Sequence, residues 1–194
     1  MFSQTYDFFF LISSYLVGSI PFGLVLSKLI KLSDPRFHGS KNIGATNITR
    51  LSGYKFGFLT LFLDIFKAYG TIKFAQFFYP ELVIWGSFCV FIGHIYPVWL
   101  KFRGGKGVAV FLGILASFSV GLTVVFIITW ALIFFVFRYS SLSALSACVS
   151  TFLVSYFSYN ETMVFLISAL NLIIFIKHFE NIERLIKGEE KKFF

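Results

Sequence analysis

Charge is what this sequence has least of. Only 13% of its 194 residues are Asp, Glu, Lys or Arg, where a soluble globular domain carries about a quarter. An ordinary soluble domain is thereby excluded. Cysteine is nearly absent too: Cys89 and Cys148 both lie in apolar runs, with no C-x-x-C and no His/Cys cluster. That pattern fits two buried thiols rather than a disulfide or a metal centre, and no metal or cofactor is expected. The start of the chain lacks the basic segment of a cleaved secretory signal, since its first Lys is Lys28, and no small-residue cleavage site follows. The first apolar segment is therefore expected to persist as a span.

What is present is apolar surface. Hydrophobic residues make up 57% of the chain and aromatics 21%, with 29 Phe, and the mean hydropathy is +0.82. The apolar runs cover 7–30, 53–78, 82–100, 108–137, 142–159 and 162–177, and a helical span takes about 20 residues. Their links differ in charge. Segments 28–55 and 101–106 carry Lys28, Lys31, Arg36, Lys41, Arg50, Lys55, Lys101, Arg103 and Lys106, whereas 79–81 and 160–161 carry only Glu81 and Glu161. Bases collect on the cytosolic side of membrane proteins. With 108–137 as one span, Arg138 and the basic tail would fall on the acidic side. Divided near Ser117, Ser119 and Gly121, the run gives two short helices of roughly 22 Å each at 1.5 Å per residue, and every basic segment falls inside. The expectation is an all-α integral membrane protein: one polytopic domain over 1–194, seven transmembrane helices, N-terminus out and C-terminus cytosolic. The net charge of +8 then reports orientation and anion ligation, not nucleic-acid binding.

Between the first two runs sits a polar island, Asp34–Arg50, in which Arg36, His38, Lys41 and Arg50 are mixed with Ser40, Asn42, Thr46 and Asn47 around Gly39, Gly44 and Ala45. Polar groups beside a bilayer are costly unless they serve a ligand or one another, and this mixture suits a phosphate. The alternative is a well-capped loop entering the second span, with Thr or Asn as N-cap. Caps account for one or two residues of the island, not the whole of it. A second segment, Arg103-Gly-Gly-Lys-Gly107, immediately precedes an apolar helix. Glycines there allow backbone N–H groups to turn toward an anion at a helix N-terminus, and Lys106 supplies a point charge. The competing reading is a flexible basic turn that fixes topology. A nucleotide-type P-loop is excluded, because Leu100 stands where its first Gly belongs and Gly107 where its hydroxyl belongs.

The tail His178–Gly188 reads as a short amphipathic helix continuing the last span. His178 and Asn181 share a face at i,i+3, and Glu180 and Arg184 pair at i,i+4. Asp64 and Lys67, three apart within the second run, read as a buried ion pair or a functional site. His94 precedes the Tyr96-Pro97 bend and reads as a hydrogen-bonded helix-end residue.

Four stretches taken together resemble the bacterial acyl-phosphate-dependent glycerol-3-phosphate acyltransferases, the PlsY family: Gly18-Ser-Ile-Pro-Phe-Gly23, Gly39-Ser-Lys-Asn-Ile-Gly-Ala-Thr-Asn47 with Arg50, Gly104-Gly-Lys-Gly-Val-Ala109, and His178-x-x-Asn181-Ile with Gly188. The resemblance implies a seven-helix plasma-membrane enzyme with its site facing the cytosol. Such an enzyme moves a fatty acyl group from acyl phosphate to the 1-hydroxyl of sn-glycerol 3-phosphate, giving lysophosphatidic acid and phosphate in phospholipid synthesis. It also implies Ser40, Arg50, Lys106, His178 and Asn181 as catalytic. Substrate contacts would come from these together with Asn42, Gly44, Thr46, Asn47, Gly104, Gly105, Gly107 and a hydroxyl in Arg138–Ser143, Ser141 or Ser143. The partners implied are glycerol 3-phosphate, acyl phosphate and membrane lipid. One position departs from the family pattern: Lys41 stands where a glycine is usual. A transporter for a small phosphorylated metabolite is the alternative, favoured by the intramembrane Asp64 and Lys67 but not by any visible inverted repeat.

Overall fold

A computed structural model describes residues 4–193, and among them all regular structure is helical. The order is α1 (Gln4–Gly18), α2 (Phe22–Leu29), α3 (Ala45–Ser52), α4 (Tyr54–Phe78), α5 (Val83–Ile95), α6 (Val108–Phe118), α7 (Val120–Phe137), α8 (Ser140–Ser158), α9 (Glu161–Lys177) and α10 (Phe179–Ile186). Single 3-10 turns at Pro80–Leu82 and Val98–Leu100 flank α5. The chain forms two compact units, one ending at Ser117 and the other beginning at Phe118.

In the first unit α5 packs against α1 and α4, and α3 lies along α4. Its core gathers Phe10, Ile72, Val90, Phe91, Val110 and Phe111. The α1–α2 pair bends by 48° at Ser19-Ile-Pro21, where proline removes a donor and ends the helix. Tyr15 then ties α1 to the far end of α5, its hydroxyl donating to the Tyr96 carbonyl at 2.7 Å. In the second unit α7, α8 and α9 pack in sequence. Asn171 stitches α9 to α8 by donating from Nδ2 to the Cys148 carbonyl at 2.9 Å. The α9–α10 pair bends by 61° around His178.

The run 108–137 is broken where its serines and glycine fall. Ser119 is extended (φ −152°) and caps α7 by accepting from the Leu122 N–H. The division is uneven, however: 11 residues in α6 and 18 in α7, about 16 and 27 Å rather than two equal halves. The island does not run straight into the second span either. An eight-residue helix, α3, intervenes and is stopped by Gly53 at φ 83°. Its N-cap is Gly44 with no side-chain bond, neither Thr nor Asn. The segment 138–143 shrinks to a two-residue turn, with Arg138 left-handed at φ 64° before α8 starts at Ser140.

By length and composition, three segments among the described residues suffice to cross a membrane, Pro80–Leu100, Val120–Phe137 and Ser140–Ser158, or up to five if each bent pair counts as one span. The 25-residue α4 is long enough but carries Lys55, Asp64, Lys67 and Lys73. Large apolar side chains face outward, with Phe77 81% and Phe157 80% exposed. Large exposed apolar side chains in this number need a cover, and a bilayer supplies it.

Candidate active site

The island is organised by one side chain. Asn47, buried on α3, shares its two Nδ2 protons among the carbonyls of Pro35 (3.0 Å), His38 (3.1 Å) and Asn42 (2.8 Å), one proton being bifurcated. Its Oδ1 accepts the Ser40 N–H at 2.9 Å. Three carbonyls and one N–H of a loop that lacks regular structure are thereby satisfied. Asn42 adds a local turn, its Oδ1 accepting from the Gly44 N–H at 3.1 Å. Lys41 sits at φ 57°, so the position does take the left-handed geometry that a glycine would adopt without strain. Ser40 is exposed at the loop tip, and Thr46 and Arg50 share one face of α3 at i,i+4. Arg50 in the last turn of α3 also complements the helix dipole.

Asp34 and Arg36 pair at 2.6 Å within the same loop. The hydrogen bond from Arg36 holds the Asp34 carboxyl below its ordinary 3.8, against the opposing effect of partial burial. Arg36 also lines a cavity of about 460 Å³ with Trp99, Leu100, Lys101 and Arg103. The island and the segment leading into the glycine loop thus share one basic recess.

The glycine loop is held differently from the sequence expectation. The N–H groups of Gly104 and Gly105 donate to the carbonyls of Ile95 (3.0 Å) and His94 (3.1 Å). They are turned to α5 and not toward an anion. The last carbonyls of a helix have no intrahelical donors, and these two glycines provide them. A Cβ on Gly104 would strike the His94 carbonyl, and one on Gly105 the His94 imidazole, so glycine is required here by contact with α5. The loop reaches this position through two consecutive left-handed residues, Lys101 (φ 51°) and Phe102 (φ 62°). Lys106 follows at once, and Gly107 (φ 88°) leads into α6.

In the second unit the candidate residues meet around a carboxylate absent from the sequence-based set, Glu190. Its Oε1 accepts from Ser141 Oγ at 2.7 Å and Asn181 Nδ2 at 2.6 Å, and its Oε2 accepts from Arg184 Nε at 2.7 Å. Burial pushes the Glu190 carboxyl up, but the bonds from Arg184, Ser141 and Asn181 outweigh it and hold the group below its ordinary 4.5. Glu190 lies in the tail after α10, outside every motif and among Glu, Lys and Phe residues that read as solvated. Ser141 and Ser143 are distinguished here: Ser143 Oγ donates back to the Tyr139 carbonyl at 2.8 Å, while Ser141 shares its partner with Asn181. His178, buried at the α9–α10 bend, has Nδ1 2.9 Å from the Ile174 carbonyl. A carbonyl only accepts, so it is Nδ1 that carries the proton in this bond.

Two further charged pairs are formed: Lys67 and Asp64, buried on α4, at 2.7 Å, and Glu180 and Arg184, on α10, at 3.7 Å and i,i+4. Among the described residues there is no group of three or more His, Cys, Asp or Glu side chains fit to hold a metal.

Residues 8–188 match the family model for glycerol-3-phosphate acyltransferase. A glycerol-3-phosphate acyltransferase of Pelagibacter ubique is 46% identical over 183 residues, 93% of this chain and 94% of that one. That of Mesorhizobium japonicum is 43% identical over 182 residues, covering 94% and 93%. Among solved structures, the glycerol 3-phosphate form of PlsY (YgiH), an integral membrane glycerol 3-phosphate acyltransferase, superposes with a TM-score of 0.92 at 37% identity, covering 96% of this chain and 95% of that one. A lysophosphatidic acid form of PlsY gives 0.90 at 36% identity. Fold similarity and near-complete coverage agree, and the chain belongs to the glycerol-3-phosphate acyltransferase family.

Proposed function

We propose that the protein acylates glycerol 3-phosphate at its 1-hydroxyl using acyl phosphate, releasing lysophosphatidic acid and inorganic phosphate. The observation that carries this reading is the pairing of a family match over residues 8–188 with basic groups gathered at two loops of the first unit, Arg36 with Lys101 and Arg103 around one recess and Lys106 just beyond. Both substrates are phosphates, and such groups neutralise them. In the reaction the acceptor oxygen attacks the acyl carbon, the bond from that carbon to the phosphate oxygen breaks, and phosphate leaves with the electron pair. The hydroxyl proton passes to His178 or to a phosphate oxygen of the donor itself. Acyl phosphate is already an activated mixed anhydride, so no protein nucleophile is needed.

Lys106 and Arg50 are assigned to phosphate and to charge developing on the carbonyl oxygen, and Ser40 and Thr46 to the acceptor. Asn42 and Asn47 hold the island in shape, as Gly44, Gly104, Gly105 and Gly107 shape the backbone, with Ser141, His178 and Asn181 assigned to the acceptor hydroxyl. The chain is read as one polytopic domain of seven spans in the bacterial plasma membrane, N-terminus out, with Ser40, Lys106 and His178 on the cytosolic face.

Sealed vesicles containing the protein, supplied with labelled glycerol 3-phosphate and either acyl phosphate or acyl-CoA, test the assignment. Labelled lysophosphatidate with acyl phosphate alone is expected. Label accumulating unchanged inside the vesicles would favour the transporter instead, and an acylated Ser or Cys trapped during turnover would overturn direct transfer.

A further inference from the structure

Lys67 is a buried ammonium that the reaction above leaves without a task, and its Nζ has one ion-pair partner and two hydrogen-bond partners. Asp64 Oδ1 lies 2.7 Å from Nζ, the Ile20 carbonyl at the α1–α2 bend 2.9 Å, and His94 Nδ1 3.1 Å. The Phe22 ring stands 5.6 Å away. An ammonium has three donors and no acceptor, so His94 Nδ1 accepts and the neutral imidazole carries its proton on Nε2. That edge of the ring is the one a methyl group on Gly105 would strike. The main chain of the same residue receives the Gly105 N–H. His94 therefore meets the glycine loop twice, by carbonyl and by ring, and Lys67 sets the ring's orientation.

A buried ion pair is a poor way merely to hold helices together, because apolar residues of similar volume do so as well or better. What an apolar pair would not supply is a fixed rotamer and tautomer for His94. We propose that Asp64, Lys67 and His94 are positioning residues that fix the Gly104–Gly105 stretch, and with it the placement of Lys106 for the acceptor's phosphate. The assignment of that phosphate rests on the acyl-transfer reading. The mechanical claim about the loop does not.

The test uses the full-length protein in lipid bilayers. Asp64→Leu/Lys67→Met removes the pair without leaving a buried charge. KM for glycerol 3-phosphate is expected to rise about tenfold and kcat to fall with it, while KM for the acyl phosphate stays within about twofold. Tryptic cleavage after Lys101, Arg103 and Lys106 should quicken about tenfold as the loop loosens. A second measurement pairs His94→Ala with Gly105→Ala. Alone, Gly105→Ala should raise KM for glycerol 3-phosphate and speed cleavage about tenfold; added to His94→Ala, it should change either by less than about twofold, since the ring it strikes has gone. Unchanged cleavage in the first variant, or additive effects in the second pair, would overturn the proposal. If Asp64→Leu/Lys67→Met does not fold, the His94/Gly105 pair decides alone. If the wild type transfers no acyl group to glycerol 3-phosphate, the functional reading falls, while the cleavage rates still decide whether the three residues hold the loop.

Discussion

Lys41 adopts a left-handed backbone (φ 57°), which costs an L-residue about 1–2 kcal/mol, while its place in the loop is set by neighbours that Asn47 binds. Lys41→Gly should therefore raise stability by about 0.5–1 kcal/mol, after the extra unfolded-state entropy of glycine is subtracted. A thermal melt in detergent checks the sign. Asn47→Ala should act oppositely, leaving three carbonyls and the Ser40 N–H without their partner, at a cost of about 2–4 kcal/mol. KM for glycerol 3-phosphate should rise because Ser40 loses its anchor. The polarity of the island was legible in the sequence, as was the unusual side chain at Lys41. The division of labour inside it was not, since an Asn that binds a ligand and an Asn that binds its own loop are spelled alike. Glu190 was invisible for a related reason: its three donors come from Ser141, Asn181 and Arg184, and only folding of the tail brings them to it.

Single elements divide the same way. Separation of α6 from α7 followed from Ser119, an extended cap inside an apolar run, and the α9–α10 bend fell at His178, where apolar residues give way to charged ones. Helix α3 was not read beforehand: Ala45, Ile48 and Leu51 recur every third residue, but eight residues make little more than two turns, too few to stand out inside a polar island. The tail after α10 carries a pH signature. Glu190 is held below its ordinary 4.5 by its hydrogen bonds, so its contribution is complete above about 4.5 and is lost as pH falls through its lower folded value. Glu190→Gln should cost about 1–3 kcal/mol at pH 7, and the gap to wild type should close below that range. Thermal unfolding of both proteins from pH 7 to pH 3 measures it. A gap that persists unchanged at pH 3 would mean that the carboxylate's charge is not what holds the tail.

For the whole molecule, the proposed seven spans with basic loops inside rest on the charge asymmetry between links. Cysteines introduced at Glu81 and Glu161 should react with an impermeant maleimide from outside intact cells, and those at Lys101 and Arg138 only after permeabilisation. The order of motifs along the chain was readable from sequence, and so was their family. How Gly104 and Gly105 use their N–H groups was not, because the demand comes from the end of α5, residues earlier and on another element. The central claim is transfer of an acyl group from acyl phosphate to glycerol 3-phosphate. Its most direct measurement is the ratio of inorganic phosphate released to lysophosphatidate formed by the purified protein in bilayers, for wild type and Lys106→Ala. One phosphate per lysophosphatidate is expected, strictly dependent on glycerol 3-phosphate, with turnover falling at least about 100-fold in Lys106→Ala. Phosphate release without lysophosphatidate, or equal turnover in the two proteins, would contradict the account.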